Sequence, residues 1–232
     1  MYYDRATYTP LWVAYPMKAA YATGSTTLKG SWKASPAVAT NEQVNVWSGS
    51  YGVSYGSDDL YARGHMIPNA SRNGYSQEMI DQAYYATNSV PQIQNKFNGG
   101  IWQQLETAVR GEIDESNHEL YVVTGAAFKT VGGNETITYI TPQHDTEKSV
   151  PVANYFYKVV LKVKKSGDTV ISASTVGFWF EHKAYSGDSY INYDVSVDEI
   201  ERLTGFDFFA NLPDAIEASA ENNASWSTFQ SF

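Results

Sequence analysis

At 232 residues, with 43% hydrophobic and 18% charged content, the chain can bury a sizeable core, and a single domain is expected. No apolar run approaches the length of a membrane span, and no basic region followed by an apolar core opens the chain, so neither a spanning helix nor a signal peptide is expected. Cysteine is absent, which excludes disulfides, thiol nucleophiles and thiolate metal sites, and a formal charge of −9 offers no global attraction for a polyanion.

In chain order, the pattern predicts a strand over 11–14, followed by long loops that include Thr-Gly-Ser-Thr-Thr at 23–27. Residues 44–55 alternate loosely between turn-forming glycines and serines and read as a short edge strand and loop. The segment around Arg63-Gly64-His65, with Pro68 close behind, reads as a glycine-containing loop. Ser76 is placed to cap a helix over 77–86, with Glu78 and Asp81 near its positive end. A second helix is predicted over 99–109, because Ile101, Trp102, Leu105, Ala108 and Val109 share one apolar stripe before Gly111. A continuous apolar strand is expected over 120–128. Two more, over 155–163 and 169–180, are joined by the hairpin signal Lys165-Ser166-Gly167-Asp168. Ser196 precedes a short helix over 197–203, and a last short helix is expected near 213–220 in a polar tail. The fold class is therefore α+β. The aromatic content of 15%, including eighteen tyrosines, is assigned to half-buried strand positions in preference to a surface that stacks on bases or sugars.

The chemistry concentrates in one ordered run. Tyr61-Ala62-Arg63-Gly64-His65-Met66-Ile67-Pro68 sets a cation, a close-approach glycine and an imidazole in consecutive positions, the parts needed to hold a phosphate and deprotonate a water beside it. Thr87-Asn88-Ser89-Val90-Pro91-Gln92 follows, and then Phe97-Asn98-Gly99-Gly100-Ile101-Trp102-Gln103-Gln104-Leu105-Glu106. His65 alone could be a core histidine, Asn98 an N-cap, and Glu106 a surface glutamate paired with Arg110 one turn later. His118, His144 and His182 lack comparable surroundings and are read as structural. Acidic residues crowd the C-terminal part: from residue 181 onward there are ten against two basic ones.

The run resembles the DNA/RNA non-specific endonuclease family, the ββα-metal nucleases, and the resemblance extends over about 11–213 through Val122-Val123-Thr124-Gly125 and later landmarks. It implies a mostly antiparallel central sheet with flanking helices and long loops. It also implies a metal-dependent endonuclease that hydrolyses DNA and RNA to 5′-phosphate products. His65 would be the general base, an unperturbed imidazole being suited to neutral pH. Asn98 would be the one direct protein ligand of Mg²⁺, with Mn²⁺ as a substitute, since a carboxamide oxygen is a hard donor. Glu106 stands eight positions later, about 12 Å along an uninterrupted helix, and would hold the metal through water. Arg63 and Arg110 would face the scissile phosphate, with Arg72 and Lys33 as candidates for flanking phosphates. Asn88 is assigned to fixing a loop. The resemblance further implies a secreted or periplasmic setting with no membrane partner, and leaves a homodimer and an inhibitor protein open. One position departs from the pattern: Ala62 stands where relatives carry an aspartate, and neither Asp58 nor Asp59 can be assumed to replace it. The alternative is a weak or inactive relative that binds nucleic acid or glycan outside the cell.

Overall fold

The computed structural model describes residues 1–22, 28–57 and 59–232; the loop signal at 23–27 and Asp58 lie outside the described residues. The strands are β1 (Tyr2–Asp4), β2 (Thr9–Met17), β3 (Ser54–Tyr55), β4 (Asp59–His65), β5 (Ser89–Ile93), β6 (Glu119–Ala127), β7 (Thr138–Ile140), β8 (Val150–Val152), β9 (Tyr155–Ser166), β10 (Thr169–Glu181) and β11 (Asp194–Val195). The helices are α1 (Ala19–Ala22), α2 (Gln77–Ala83), α3 (Gln103–Gly111), α4 (Val197–Thr204), α5 (Asp214–Glu221) and α6 (Trp226–Gln230).

An antiparallel six-stranded sheet in the order β1-β2-β6-β9-β10-β11 divides the molecule. Its central strands are long and apolar on both faces because both faces are covered. Side chains alternate across a strand, so the register Val13–Thr124–Lys158–Phe178 marks one face and Ala14–Val123–Val159–Gly177 the other. The first face packs against Trp102, Leu105 and Val109 of the α3 region and against Trp226 and Phe229 of α6. The second receives Val197 and Ile200 of α4, together with Phe208 and Leu212. At Gly177 a Cβ would strike Ile200, so glycine is what lets α4 sit this close.

The predicted strand over 11–14 and the hairpin partners are present and somewhat longer than expected, and the apolar strand over 120–128 is present one residue earlier, with Gly167 at positive φ in the hairpin turn. Residues 44–55 yield only the two residues of β3, because Gly52 and Gly56 adopt positive φ and turn the chain. Ser76 caps α2 by accepting from the Met79 N–H, but the helix ends at Ala83, short of the predicted 86. The Lys33 N–H bonds Tyr84 O and the Ala86 N–H bonds Lys33 O, which draws the chain out of the helix. Ser196 caps α4 and Gly205 closes it in the left-handed conformation. Helix α6 was not anticipated, since five residues are too few to show a period.

Candidate active site

The Arg63-Gly64-His65 triplet is not a loop, as the glycine suggested, but the C-terminal end of β4, paired with β5 from Tyr61↔Ile93 to His65↔Ser89. Glycine serves packing here: a Cβ at Gly64 would collide with the Gln92 side chain. Alternation then sends Arg63 and His65 to one side of the strand and Ala62 and Gly64 to the other. The strand ends in a turn tied down by Asn88. Its Oδ1 accepts from the Ile67 N–H, its Nδ2 donates to Ile67 O and Ala83 O, and its carbonyl accepts from the Met66 N–H.

His65 lies between two rings, 4.7 Å from the Trp32 centroid and 4.9 Å from that of Tyr84. Arg63 reaches over the same Trp32 at 5.1 Å and donates from Nη1 to Val46 O at 2.9 Å. Burial, and then the Arg63 charge, hold the imidazole down at about 4, so it is neutral at pH 7. Its Nε2 is buried with no hydrogen-bond partner among the described residues. A neutral imidazole keeps one ring nitrogen as an acceptor that can take a proton.

The other half of the site rests on the chain from Gln94 to Gly111. A continuous helix over 99–109 does not form. Residues 94–102 coil irregularly, with Lys96 at φ 63° and non-helical dihedrals at Gly99 and Gly100, and the regular helix α3 begins only at Gln103. The two glycines release the backbone at the point where it must turn, so the rise of 1.5 Å per residue no longer measures the span from Asn98 to Glu106. Asp59 anchors the start of the coil by accepting from the Asn95 N–H at 2.9 Å, which commits that carboxylate to structure. Phe97 is fully buried against His182, and His182 in turn accepts from the Ile93 N–H at 2.9 Å and meets Ala153 O through Nδ1. This ties Asn98 to the β4–β5 pair. Asn98 is half-buried and donates from Nδ2 to Gln94 Oε1 at 3.2 Å, and no donor among the described residues reaches its Oδ1.

Glu106 is partly buried beneath the sheet's first face. Burial raises its carboxyl pKa, opposed first by Lys158 and then by Arg110. Trp102 Nε1 lies toward this carboxylate, short of hydrogen-bond geometry. Lys158 is the charge that sequence reasoning missed. It is 1% exposed, donates to Thr124 Oγ1 and sits 4.7 Å from the Trp102 ring centroid. Burial lowers its pKa and Glu106 opposes the shift. A lysine inside a run as apolar as Tyr155–Val163, repeated four residues later at Lys162, is the signal that could have found it. Trp32 and Tyr84 were missed as well, and nothing in their local sequence distinguishes them.

Arg110 donates from Nη2 to Thr107 Oγ1 at 2.9 Å, while its Nη1 is buried without a partner among the described residues. No ion pair within 4 Å joins it to Glu106 among the described residues, so the simple one-turn pair is not what forms. Arg72 is 6% exposed, bonded to Ser71 O and Pro16 O and stacked 4.9 Å from Tyr15 and 5.3 Å from Tyr21, so its guanidinium braces the turn after β4 against β2. Lys33 pairs with Asp81 at 2.7 Å on the surface, and its backbone positions the Trp32 region beside Tyr84. His118 meets Glu112 O at 2.9 Å and stands apart from this cluster.

The chain thus carries a neutral imidazole and Arg63 at the end of β4, and an amide oxygen and Arg110 on the segment that leads through α3. Comparison with known proteins agrees with that reading. The chain is 29% identical over 161 residues to a nuclease of Serratia marcescens, covering 69% of this chain and 55% of the relative. It is 30% identical over 167 residues to a nuclease of a Nostoc species, covering 70% and 55%. It is also 29% identical over 153 residues to the mitochondrial nuclease EXOG of Mus musculus, covering 66% and 40%. The match spans about half the length of these relatives, and since some are named mitochondrial, the names do not single out the secreted or periplasmic setting. No helix among the described residues is long and apolar enough to cross a membrane. The fold is that of a chain from a crystal structure of an EndoG/EndoGI complex, with a TM-score of 0.71 at 23% identity over 92% of this chain and 84% of that one. The description "DNA/RNA non-specific endonuclease" belongs to a family whose model matches residues 1–215, and with nearly the whole chain matched, this protein is a member of that family.

Proposed function

We propose that the chain acts as one nuclease domain that hydrolyses phosphodiester bonds of DNA and RNA with Mg²⁺ bound. The observation that carries this reading is the His65 ring: neutral, with neither nitrogen hydrogen-bonded among the described residues, at the end of a strand that also presents Arg63. The histidines read as structural differ, since His182 has both ring nitrogens engaged and His118 has Nε2 engaged by Glu112 O.

In this reading Arg63 and Arg110 take the non-bridging oxygens of the scissile phosphate, where planar donors fit best. A water placed against His65 gives its proton to the unprotonated ring nitrogen as its oxygen attacks phosphorus. The bond from phosphorus to the 3′ oxygen breaks, leaving a 5′-phosphate. The shelf of Trp32 and Tyr84 holds the ring in place and keeps bulk water from the base. Asn98 would hold the cation, because its amide hydrogen bond uses nitrogen and spares the oxygen that a hard metal takes. Glu106, already faced by Lys158, suits a carboxylate that meets the metal through water and not directly. The bound cation would supply Lewis-acid stabilisation of charge on the phosphate and the departing oxygen.

The test is plasmid cleavage by the purified protein with Mg²⁺ and with EDTA, alongside His65→Ala of unchanged circular dichroism. Cleavage with Mg²⁺ only, reduced roughly two to four orders of magnitude in the variant, is the expected result. Nearly equal cleavage by folded His65→Ala would remove His65 from the chemistry. Binding of nucleic acid or glycan without cleavage in either metal would favour the binding-module alternative.

A further inference from the structure

On the sheet's second face, away from His65 and Glu106, helices α4 and α5 approach each other with carboxylates between them. Asp198 and Glu201 stand three residues apart on α4, hence on one face of that helix, and Glu221 is the last residue of α5. One carboxylate oxygen from each can be chosen so that all three lie within 4.8 Å of one another. The helices are not free to spread. Val197 and Ile200 are buried in the core, and Thr175 of β10 donates to Ala220 O at 2.8 Å, pinning the end of α5 next to Glu221.

Glu221 makes this more than an acidic surface. It is 5% exposed, and its Oε1 is buried with no hydrogen-bond partner among the described residues. Burial, followed by the charges of Glu201, Glu217, Asp198 and Asp207, pushes its carboxyl up to about 8. Glu201 accepts from the Phe208 N–H with Oε1, which fixes its direction and leaves Oε2 for another partner. A buried carboxylate without a donor or a counter-charge is costly, and the ordinary remedies are a proton or a metal ion.

We infer that Asp198, Glu201 and Glu221 form a second, non-catalytic cation site that takes Ca²⁺ and clamps α4 to α5. The donor set is three hard oxygens, which suits Ca²⁺ or Mg²⁺ over zinc or copper. Calcium is favoured by size and by rigidity. An ion equidistant from three oxygens at most 4.8 Å apart sits no more than about 2.8 Å from each, close to the Ca–O range of about 2.3–2.6 Å. Magnesium, with bonds of about 2.0–2.1 Å and near-ideal octahedral demands, suits carboxylates fixed on two packed helices less well.

The experiment is isothermal titration of the metal-free full chain with CaCl₂, repeated on Asn98→Ala, Asp198→Asn and Glu221→Gln, with thermal unfolding of each in Ca²⁺ and in EDTA. Asn98→Ala separates this site from the proposed catalytic metal. The expected result is one saturable Ca²⁺ site retained in Asn98→Ala and weakened at least tenfold in both Asp198→Asn and Glu221→Gln. In addition, Ca²⁺ should raise the Tm of the natural protein by several degrees, but not that of Glu221→Gln. Since the amide of Glu221→Gln is isosteric and uncharged, this variant is expected to fold, and its Tm in EDTA should exceed that of the natural protein. Absence of saturable binding, or equal affinity in Glu221→Gln, would overturn the inference and leave the triad as a group that shares a proton.

Discussion

If the rings around His65 are what keep it neutral, opening them should move the acid limb of catalysis. The imidazole is held at about 4, chiefly by burial, against an ordinary value near 6.5. The pH dependence of kcat/KM reports the free enzyme, so in the natural protein the acid limb should break near 4. Trp32→Ala removes the larger of the two covering rings, whose centroid lies 4.7 Å away. Readmitted water then stabilises the imidazolium, and the break should climb toward 6.5. At pH 5 a base with a pKa of about 4 is roughly 90% neutral, whereas one at 6.5 is about 3% neutral, so the two limits differ about thirtyfold. The Arg63 charge remains in Trp32→Ala, so the measured change should approach that limit without reaching it. The assay is kcat/KM on a short oligonucleotide from pH 4 to 8 at saturating Mg²⁺, with the pH 5 to pH 7.5 ratio compared within each protein. An NMR titration of the His65 ring without substrate gives the same quantity directly. A natural protein that already breaks near 6.5, or a Trp32→Ala break that does not move, would refute burial as the cause.

His182 should govern acid stability instead. Its Nε2 accepts from the Ile93 N–H, so a second ring proton would point at a donor, and burial holds its pKa at about 4. The folded state therefore binds fewer protons than the unfolded one. The resulting stability is present above about pH 6.5 and lost as pH falls toward 4, on the order of 2 kcal/mol between pH 7 and 4.5. Urea unfolding at those two pH values should show a smaller loss in His182→Gln; an unchanged loss would contradict the assignment. For the proposed metal ligands, Asn98→Ala should raise the Mg²⁺ concentration needed for half-maximal cleavage, while Glu106→Gln should act mainly on turnover. A larger loss of Mg²⁺ affinity in Glu106→Gln would reverse those roles. Ala62→Asp should change the cleavage rate by about tenfold or less, within about 1.4 kcal/mol, because residue 62 faces Gln92 on the side of β4 opposite Arg63 and His65. A silent natural protein that Ala62→Asp switches on would show that the missing carboxylate matters to the chemistry itself.

Much of the fold was legible because its signals are local. The apolar runs of β6, β9 and β10, the Ser76 and Ser196 caps, and the hairpin turn at Gly167 each depend on a few adjacent residues. What was not legible depends on distant partners. Gly64 looked like a loop glycine until Gln92 was seen lying where its Cβ would be. The stripe from Ile101 to Val109 is real, but Gly99 and Gly100 precede α3 as a break and are not its first turn. Arg72 was indistinguishable from a surface cation by sequence, and only the tyrosines at 15 and 21 make it a buried brace.

Net charge is the clearest case where counting misleads and placement corrects it. A formal charge of −9 weighs against a polyanion substrate when spread over the whole surface. In the folded chain the signs separate across the sheet. Asp198, Glu201, Asp207, Glu217 and Glu221 interact with one another around α4 and α5 on the second face. Arg63, Arg110 and Lys158 belong to the hairpin, α3 and the first face, where the orphaned donors and His65 also lie. Coulomb attraction falls with distance and is screened over about 8 Å at physiological ionic strength. On the proposed function, a phosphate approaching His65 would meet Arg63, which shares the Trp32 ring with it, with the sheet and its core standing between it and the acids. The acidic excess belongs to a different site, and it argues about what binds there, not about what the hairpin can hold.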